Sequence, residues 1–222
     1  MKKLKKASYY EFIKINEFVA QTSPMMTHYY SSNPFERKIW QKKKKTIKKF
    51  LEGVSAQNLI DLGCGDGGLI DIIPSKIEYT GIDISPTQVS HAKKRVREIG
   101  RKNAKIIEGD ILNLQIRDNS YDISMLCDVV EHVLDPKKLL EEAKRITKKD
   151  GYIILGIPNE YLWELSRLLL LRFPLRSPDH INAIYPSDVG KHFKNTIKKV
   201  FIPTPFSSRL SLIHIYLIKN EK

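Results

Sequence analysis

Four side chains in this 222-residue sequence have the types needed to handle a proton or a cation. Asp128, Glu131 and His132 fall within one short run, Asp-Val-Val-Glu-His, directly after an apolar stretch, and His180 follows in Ser-Pro-Asp-His-Ile-Asn. Carboxylates and imidazoles brought together in this way can take the proton from a hydroxyl. They can also ligate a divalent cation, and two carboxylates with two imidazoles suit Mn²⁺ or Zn²⁺ better than Mg²⁺. Earlier in the chain, IDLGCGDGG (60–68) places Gly63, Gly65, Gly67 and Gly68 after another apolar run. Glycine lets a backbone approach a ligand closely.

These residues need elements to position them. At 41% hydrophobic and 28% charged residues the composition is that of a folded chain, long enough for one well-buried domain plus an extension. Residues 6–20 are predicted to form a short helix. A longer one starts at Asn33-Pro34, an N-cap followed by proline at the first helical position. In it Phe35, Ile39, Ile47, Phe50, Leu51 and Val54 recur at helical spacing, Lys42 to Lys45 are expected on the remaining surface, and Gly53 ends the run. Strands are predicted at 58–62, 78–84, 104–111, 121–130 and 152–158. Helices fall between them at 69–73, 86–100 and 135–151, and two more follow at 159–173 and 187–194. Stretches 196–203 and 209–219 read as a closing antiparallel hairpin with a turn at 204–209. Strands spaced by helices imply an α/β, Rossmann-like, mainly parallel sheet with helices on both faces. Residues 1–54 form a basic helical extension, 55–222 the main domain, and 159–190 a lid or substrate segment.

Sheets of this kind bind ligands beyond the carboxyl ends of their strands, where the glycine loop lies. Gly63, Gly65 and Gly68 fit G-x-G-x-x-G, a dinucleotide fingerprint. Gly63, Gly65 and Gly67 equally fit G-x-G-x-G, the loop of S-adenosylmethionine (SAM) enzymes. Asp61 separates the two: a carboxylate there repels a pyrophosphate and attracts the cationic methionine portion of SAM. Asp83, closing the next strand, is placed for ribose hydroxyls. Asp110 can accept from an adenine amine, with Ile111 packed on the ring.

Taken in order, DLGCGDG, GIDIS, GDI, YDISMLCDVVEHV and KDGYIILGIPN resemble the successive motifs of class I SAM-dependent methyltransferases over about residues 55–160. The resemblance implies a seven-stranded sheet with an antiparallel last strand. It places Asp61, Gly63, Cys64 and Gly65 at the methionine end of SAM. Asp83 would hold the ribose, with Ile84 beside the adenine; Asp110 and Ile111 would hold the adenine, and Cys127 would lie beside the cofactor. Asp128, Glu131, His132 and His180 are then candidate catalytic residues. The layout is similar to ubiquinone-biosynthesis O-methyltransferases and to enzymes that methylate a 2′-hydroxyl at the 3′ end of small RNAs. In those branches Glu-x-x-Glu-His carries metal ligands; here Asp128 replaces the first Glu, so no metal is assigned.

The net charge is +13, of which +10 lies in residues 1–50. Such asymmetry suits an anionic partner or a solvated helix face. The expected acceptor is a small molecule, prenylated, lipid-linked or glycan-like, methylated at oxygen. RNA methylation and SAM binding without transfer are the alternatives. Leu168 to Leu171, flanked by Arg167 and Arg172 and followed by Phe173, could touch a membrane, but are expected to pack on the fold, leaving weak peripheral association at most. His28, beside Tyr29 and Tyr30, could close over the pocket. Two cysteines, Cys64 and Cys127, no signal-like start and no long apolar run give a cytoplasmic expectation.

Overall fold

The structure, a computed structural model, describes residues 2–3, 9–22, 29–169, 171, 180–183, 186–203 and 210–222. His28, Leu170, Arg172, Phe173 and the hairpin turn 204–209 lie outside these residues.

In chain order the elements are β1 (Lys2–Lys3), α1 (Tyr9–Thr22), α2 (Pro34–Glu52), β2 (Asn58–Leu62), a 3-10 turn (Ile70–Ile72), β3 (Glu78–Asp83), α3 (Pro86–Glu98), β4 (Ala104–Glu108), β5 (Tyr121–Cys127), α4 (Pro136–Ile146), β6 (Thr147–Pro158), α5 (Glu160–Leu169), β7 (Asn182–Ala183), α6 (Pro186–His192), β8 (Thr196–Ile202) and β9 (Ile213–Lys219). Seven strands form one sheet in the order β4-β3-β2-β5-β6-β9-β8. Neighbouring strands are parallel from β4 to β6, and β9 runs antiparallel to both β6 and β8. The expected fold class and hairpin are thus present. The elements differ from expectation at their edges: β6 begins earlier, taking in TKKDG, and the 69–73 helix is only a 3-10 turn. A two-residue pairing of β1 with β7 carried no sequence signal.

Strand residues feed the two faces alternately, as a period of two demands. Leu59, Tyr79, Ile123, Met125, Ile154, Ile215 and Leu217 pack on one face against Ile39, Trp40, Ile47, Phe50 and Leu51 of α2. Ile60, Leu62, Leu126, Ile153, Leu155, Tyr216 and Ile218 pack on the other against Leu139, Leu140, Ala143 and Ile146 of α4. The basic helix is therefore part of the core rather than an attachment. Asn33 caps it, its side chain accepting from the Phe35 and Glu36 amides, and Gly53 ends it.

One expectation for α2 is corrected. Lys43 is not on the surface with its neighbours; it is fully buried and ion-paired with Asp128, its ammonium 4.8 Å from the Trp40 ring centre. Lys44 pairs with Asp71 at 2.7 Å, and Lys42 donates to the Pro203 carbonyl at 3.0 Å. Only Lys45 of the four is left exposed and without such a bond among the described residues. Removing one partner of a buried pair strands the other charge. Lys43→Ala is accordingly expected to lower unfolding free energy by about 3–5 kcal/mol, while Lys45→Ala changes it by about 0.5 kcal/mol or less; denaturant melts measure both.

Candidate active site

Four parallel strands, β2 to β5, end at one edge and deliver the polar residues there. Asp61, next to last in β2, is buried and accepts from the Tyr79 hydroxyl at 2.9 Å. Burial pushes its carboxyl up to about 7, and the nearby Asp83 adds to this while Tyr79 and Lys43 pull it back. The chain then turns into the glycine loop. Gly63 has φ +77°, and a side chain would drive a Cβ to 2.3 Å from Val129 Cγ2. Gly65 has φ +55°, and a Cβ there would meet no atom within 4 Å, so the backbone faces open space. Its amide donates to Asp83 Oδ2 at 2.8 Å, and Ser85 N donates to the other oxygen at 3.0 Å. Burial raises Asp83 as well, against these two bonds. Cys64 and Cys127 are buried free thiols, and burial pushes both pKa values up, which suits small wall residues rather than nucleophiles.

Beyond β4, Asp110 accepts from Leu112 N at 2.8 Å, Asn113 Nδ2 at 2.7 Å and the Tyr9 hydroxyl at 3.3 Å. The last of these comes from α1, which no local sequence pattern places here. Glu17, from the same helix, accepts from Ser85 Oγ at 2.6 Å and from Thr87 Oγ1. Phe12, Asn16 and Val19 of α1 line the cavity that Ile84 and Ile111 also line.

Beyond β5, Asp128 adopts φ +54° and gives its amide to the Gly156 carbonyl at 3.0 Å. Its carboxylate holds Lys43, so it does not join the other three candidates. Those three do converge. Glu131, 1% exposed, has no hydrogen-bond partner among the described residues on either carboxylate oxygen and lies 3.9 Å from His132 Nε2. Burial holds its pKa well above the usual carboxylate range, against the pull of both imidazoles. The His180 ring stands edge-on to that of His132, centres 4.6 Å apart. Ligand atoms of Glu131, His132 and His180 lie within 4.8 Å of one another, close enough for a divalent cation and close enough to pass a proton. Glu160, at the start of α5 and absent from the sequence expectation, meets His180 Nδ1 at 2.6 Å.

Every site residue expected from the sequence, together with Glu160, lines one cavity of about 440 Å³, a size typical of small-molecule sites. Its far wall is aromatic: Tyr29 and Trp40 meet edge to face at 5.7 Å, and Trp40 stacks on Trp163 at 6.4 Å. Leu168 and Leu169 at the end of α5 do not pack on the fold as expected. Leu169 is 75% exposed and Leu168 46%, with Leu165 and Tyr161 exposed beside them.

The edge suits SAM better than a dinucleotide. Asp61 presents a carboxylate where a pyrophosphate would need donors, while Asp83 and Asp110 suit the ribose and adenine of either cofactor, and Gly65 leaves open space beside Asp83. Comparison with known proteins agrees. Residues 60–155 match the methyltransferase domain family Methyltransf_11. With the sheet order, this makes residues 60–155 similar to the class I SAM-dependent methyltransferases. It is similar to a ubiquinone biosynthesis O-methyltransferase from Nitrosomonas europaea, 26% identical over 152 residues, which are 65% of this chain and 64% of that one. The chain thus spans somewhat under two thirds of that relative. Its fold is similar to a possible histamine N-methyltransferase from Thermotoga maritima (TM-score 0.67, 17% identity, 94% of this chain and 99% of that one). It is also similar to the CurJ carbon methyltransferase (TM-score 0.66, 18% identity, 88% and 57%). These neighbours differ in acceptor atom, so the fold does not choose one.

Two binding outcomes are expected. Calorimetry should show binding of SAM and of its demethylated product, S-adenosylhomocysteine, and none of NAD; Asp83→Ala should weaken the former by about 1–3 kcal/mol, the cost of removing a buried acceptor. Affinity for SAM should rise from about pH 5.5 to about pH 7.5. In the free protein Asp61 is largely protonated below about 7 and ionised above it, and only the carboxylate attracts a cation. A flat pH profile would remove Asp61 from the cofactor contact.

Proposed function

We propose that this chain transfers a methyl group from SAM to a hydroxyl oxygen of an apolar small molecule. The observation that carries this reading is the placement of Glu131, His132 and His180 on the same cavity as Asp61, Asp83 and the glycine loop. SAM, when bound, supplies an electrophilic methyl group and leaves as a neutral thioether. Asp61 would meet its ammonium, Asp83 its ribose hydroxyls, and Asp110 with Ile84 and Ile111 its adenine. The protein's remaining task is alignment and removal of one proton. A hydroxyl must lose its proton as it attacks, and the imidazoles beside Glu131 can accept it.

The acceptor end supports an apolar, flat substrate: Tyr29, Trp40 and Trp163 form its wall, and Leu212 and Pro158 line it. The ubiquinone biosynthesis relative is an O-methyltransferase, which supports oxygen. RNA is less favoured, because two lysines of the basic run are already engaged. Lys43 is buried against Asp128 and Lys44 is held by Asp71. No helix among the described residues is long and apolar enough to cross a membrane.

The test is turnover of an alkyl catechol such as 4-nonylcatechol with methyl-labelled SAM. The expected product is a methyl ether. His132→Gln and His180→Gln should retain S-adenosylhomocysteine binding, and removing the proton acceptor should lower kcat by about 10²-fold or more. Turnover should survive EDTA. Loss on chelation with recovery on Mn²⁺ would instead make Glu131, His132 and His180 a metal centre, and methylation confined to amine or carbon acceptors would contradict the oxygen assignment.

A further inference from the structure

Resting on the placement of SAM in that reading, we infer that Glu17 is a positioning residue for the methyl donor: it latches α1 across the nucleoside end of the cavity and steadies Asp83 through Ser85. The Glu17 carboxylate accepts from Ser85 Oγ at 2.6 Å and from Thr87 Oγ1. A hydroxyl donating to a carboxylate at this length makes a charge-assisted bond, stronger than a neutral one. Gln21 Nε2, one turn further along α1, donates to Glu17 Oε1 at 3.1 Å and holds the side chain in reach. Ser85 is the centre of the arrangement. Its Oγ caps α3 by accepting from Gln88 N at 3.2 Å, and its backbone amide donates to Asp83 Oδ1 at 3.0 Å. A serine hydroxyl has one proton and two acceptor sites. Glu17 takes the proton, which leaves a lone pair for the cap and fixes the rotamer. Glu17, Ser85 and Asp83 therefore form one chain of contacts from α1 to the carboxylate that would hold the ribose.

A second tie holds the other end of the helix. The Tyr9 hydroxyl donates to Asp110 Oδ2 at 3.3 Å. About 12 Å of helix separates Tyr9 from Glu17, so α1 crosses from the end of β4 to the end of β3. Between the two ties Phe12, Asn16 and Val19 recur at helical spacing and line the cavity. A helix of 14 residues is marginal in water by itself. Part of the surface that would steady this one belongs to whatever fills the cavity. Occupant and α1 therefore stabilise each other, each by the same amount. A donor bound under α1 leaves when the Glu17 bonds break, and Glu17 sets how long it stays. The aromatic acceptor end is walled by α2 and α5 instead, so the latch acts on the donor alone.

The experiment uses the full chain with S-adenosylhomocysteine as the probe. Two quantities are measured: the dissociation rate of the probe, and hydrogen exchange of the α1 amides with and without it. In wild type, saturating S-adenosylhomocysteine should slow α1 exchange by about tenfold or more. Glu17→Ala should release the probe about 10-fold or more faster, the effect of losing hydrogen bonds to a charged group, and should show less protection of α1. Glu17→Gln keeps an acceptor oxygen without the charge, so its release rate should fall between the two. The melting temperature of each ligand-free variant should stay within about 2 °C of wild type. Dissociation from Glu17→Ala within twofold of wild type overturns the inference, as does α1 exchange that ignores the probe. Faster release matched by an equal loss of ligand-free stability would make Glu17 a structural residue and also overturn it. Failure of wild type to bind the probe at all would instead overturn the cofactor reading on which the inference rests, so the two failures are separable.

Discussion

The buried ion pair between Lys43 and Asp128 is the contact on which the rest of the site depends. It ties the middle of α2 to the turn that follows β5. Without that tie the sheet edge would carry a cofactor groove open on one side. With it, Trp40 and Tyr29 are brought over the groove and stack toward Trp163, and the groove becomes a cavity with a carboxylate end and an aromatic end. A buried ion pair contributes little net stability, since desolvation offsets attraction. Its effect here is on placement: it sets where the helix docks and holds Asp128 in a left-handed conformation from which Val129 to His132 start the next turn.

The cavity then separates charges by function. Carboxylates gather at the ends of β2, β3 and β4, where burial raises Asp61 and Asp83 and makes each favour a cationic or hydroxyl-bearing partner. Glu131 and the imidazoles gather beyond β5, nearer the aromatic wall. Helix α1 closes the side of the cavity near the ends of β3 and β4 through bonds to Ser85, Thr87 and Asp110. One wall is therefore borrowed from the N-terminal segment.

Much of this was legible in the sequence, for identifiable reasons. Short apolar strands followed by glycine turns marked the sheet, and the spacing of Asp61, Asp83 and Asp110 marked its edge. Asn33-Pro34 located the start of α2 to the residue. The burial of Lys43 had a signal that residue type overrode: Ile39, Lys43 and Ile47 share one helical stripe, and a lysine run reads as surface. Glu160 had almost none, because an acid at a helix start is ordinarily explained by the helix dipole alone. That His180 would reach His132 depends on the chain path after α5, which no local pattern dictates. The exposed Leu168 and Leu169 went the other way, since a leucine run reads as packing whether or not a surface covers it.

The central claim is that one cavity holds the methyl donor at the strand ends and turns its reactive end toward Glu131, His132 and His180. A crystal structure of the full chain with S-adenosylhomocysteine tests it most directly. The account predicts ribose on Asp83, adenine between Ile84 and Ile111, and the sulfur facing the His132–His180 pair. A product molecule lying outside this cavity, or inside it with its sulfur turned away from the histidines, would contradict the account.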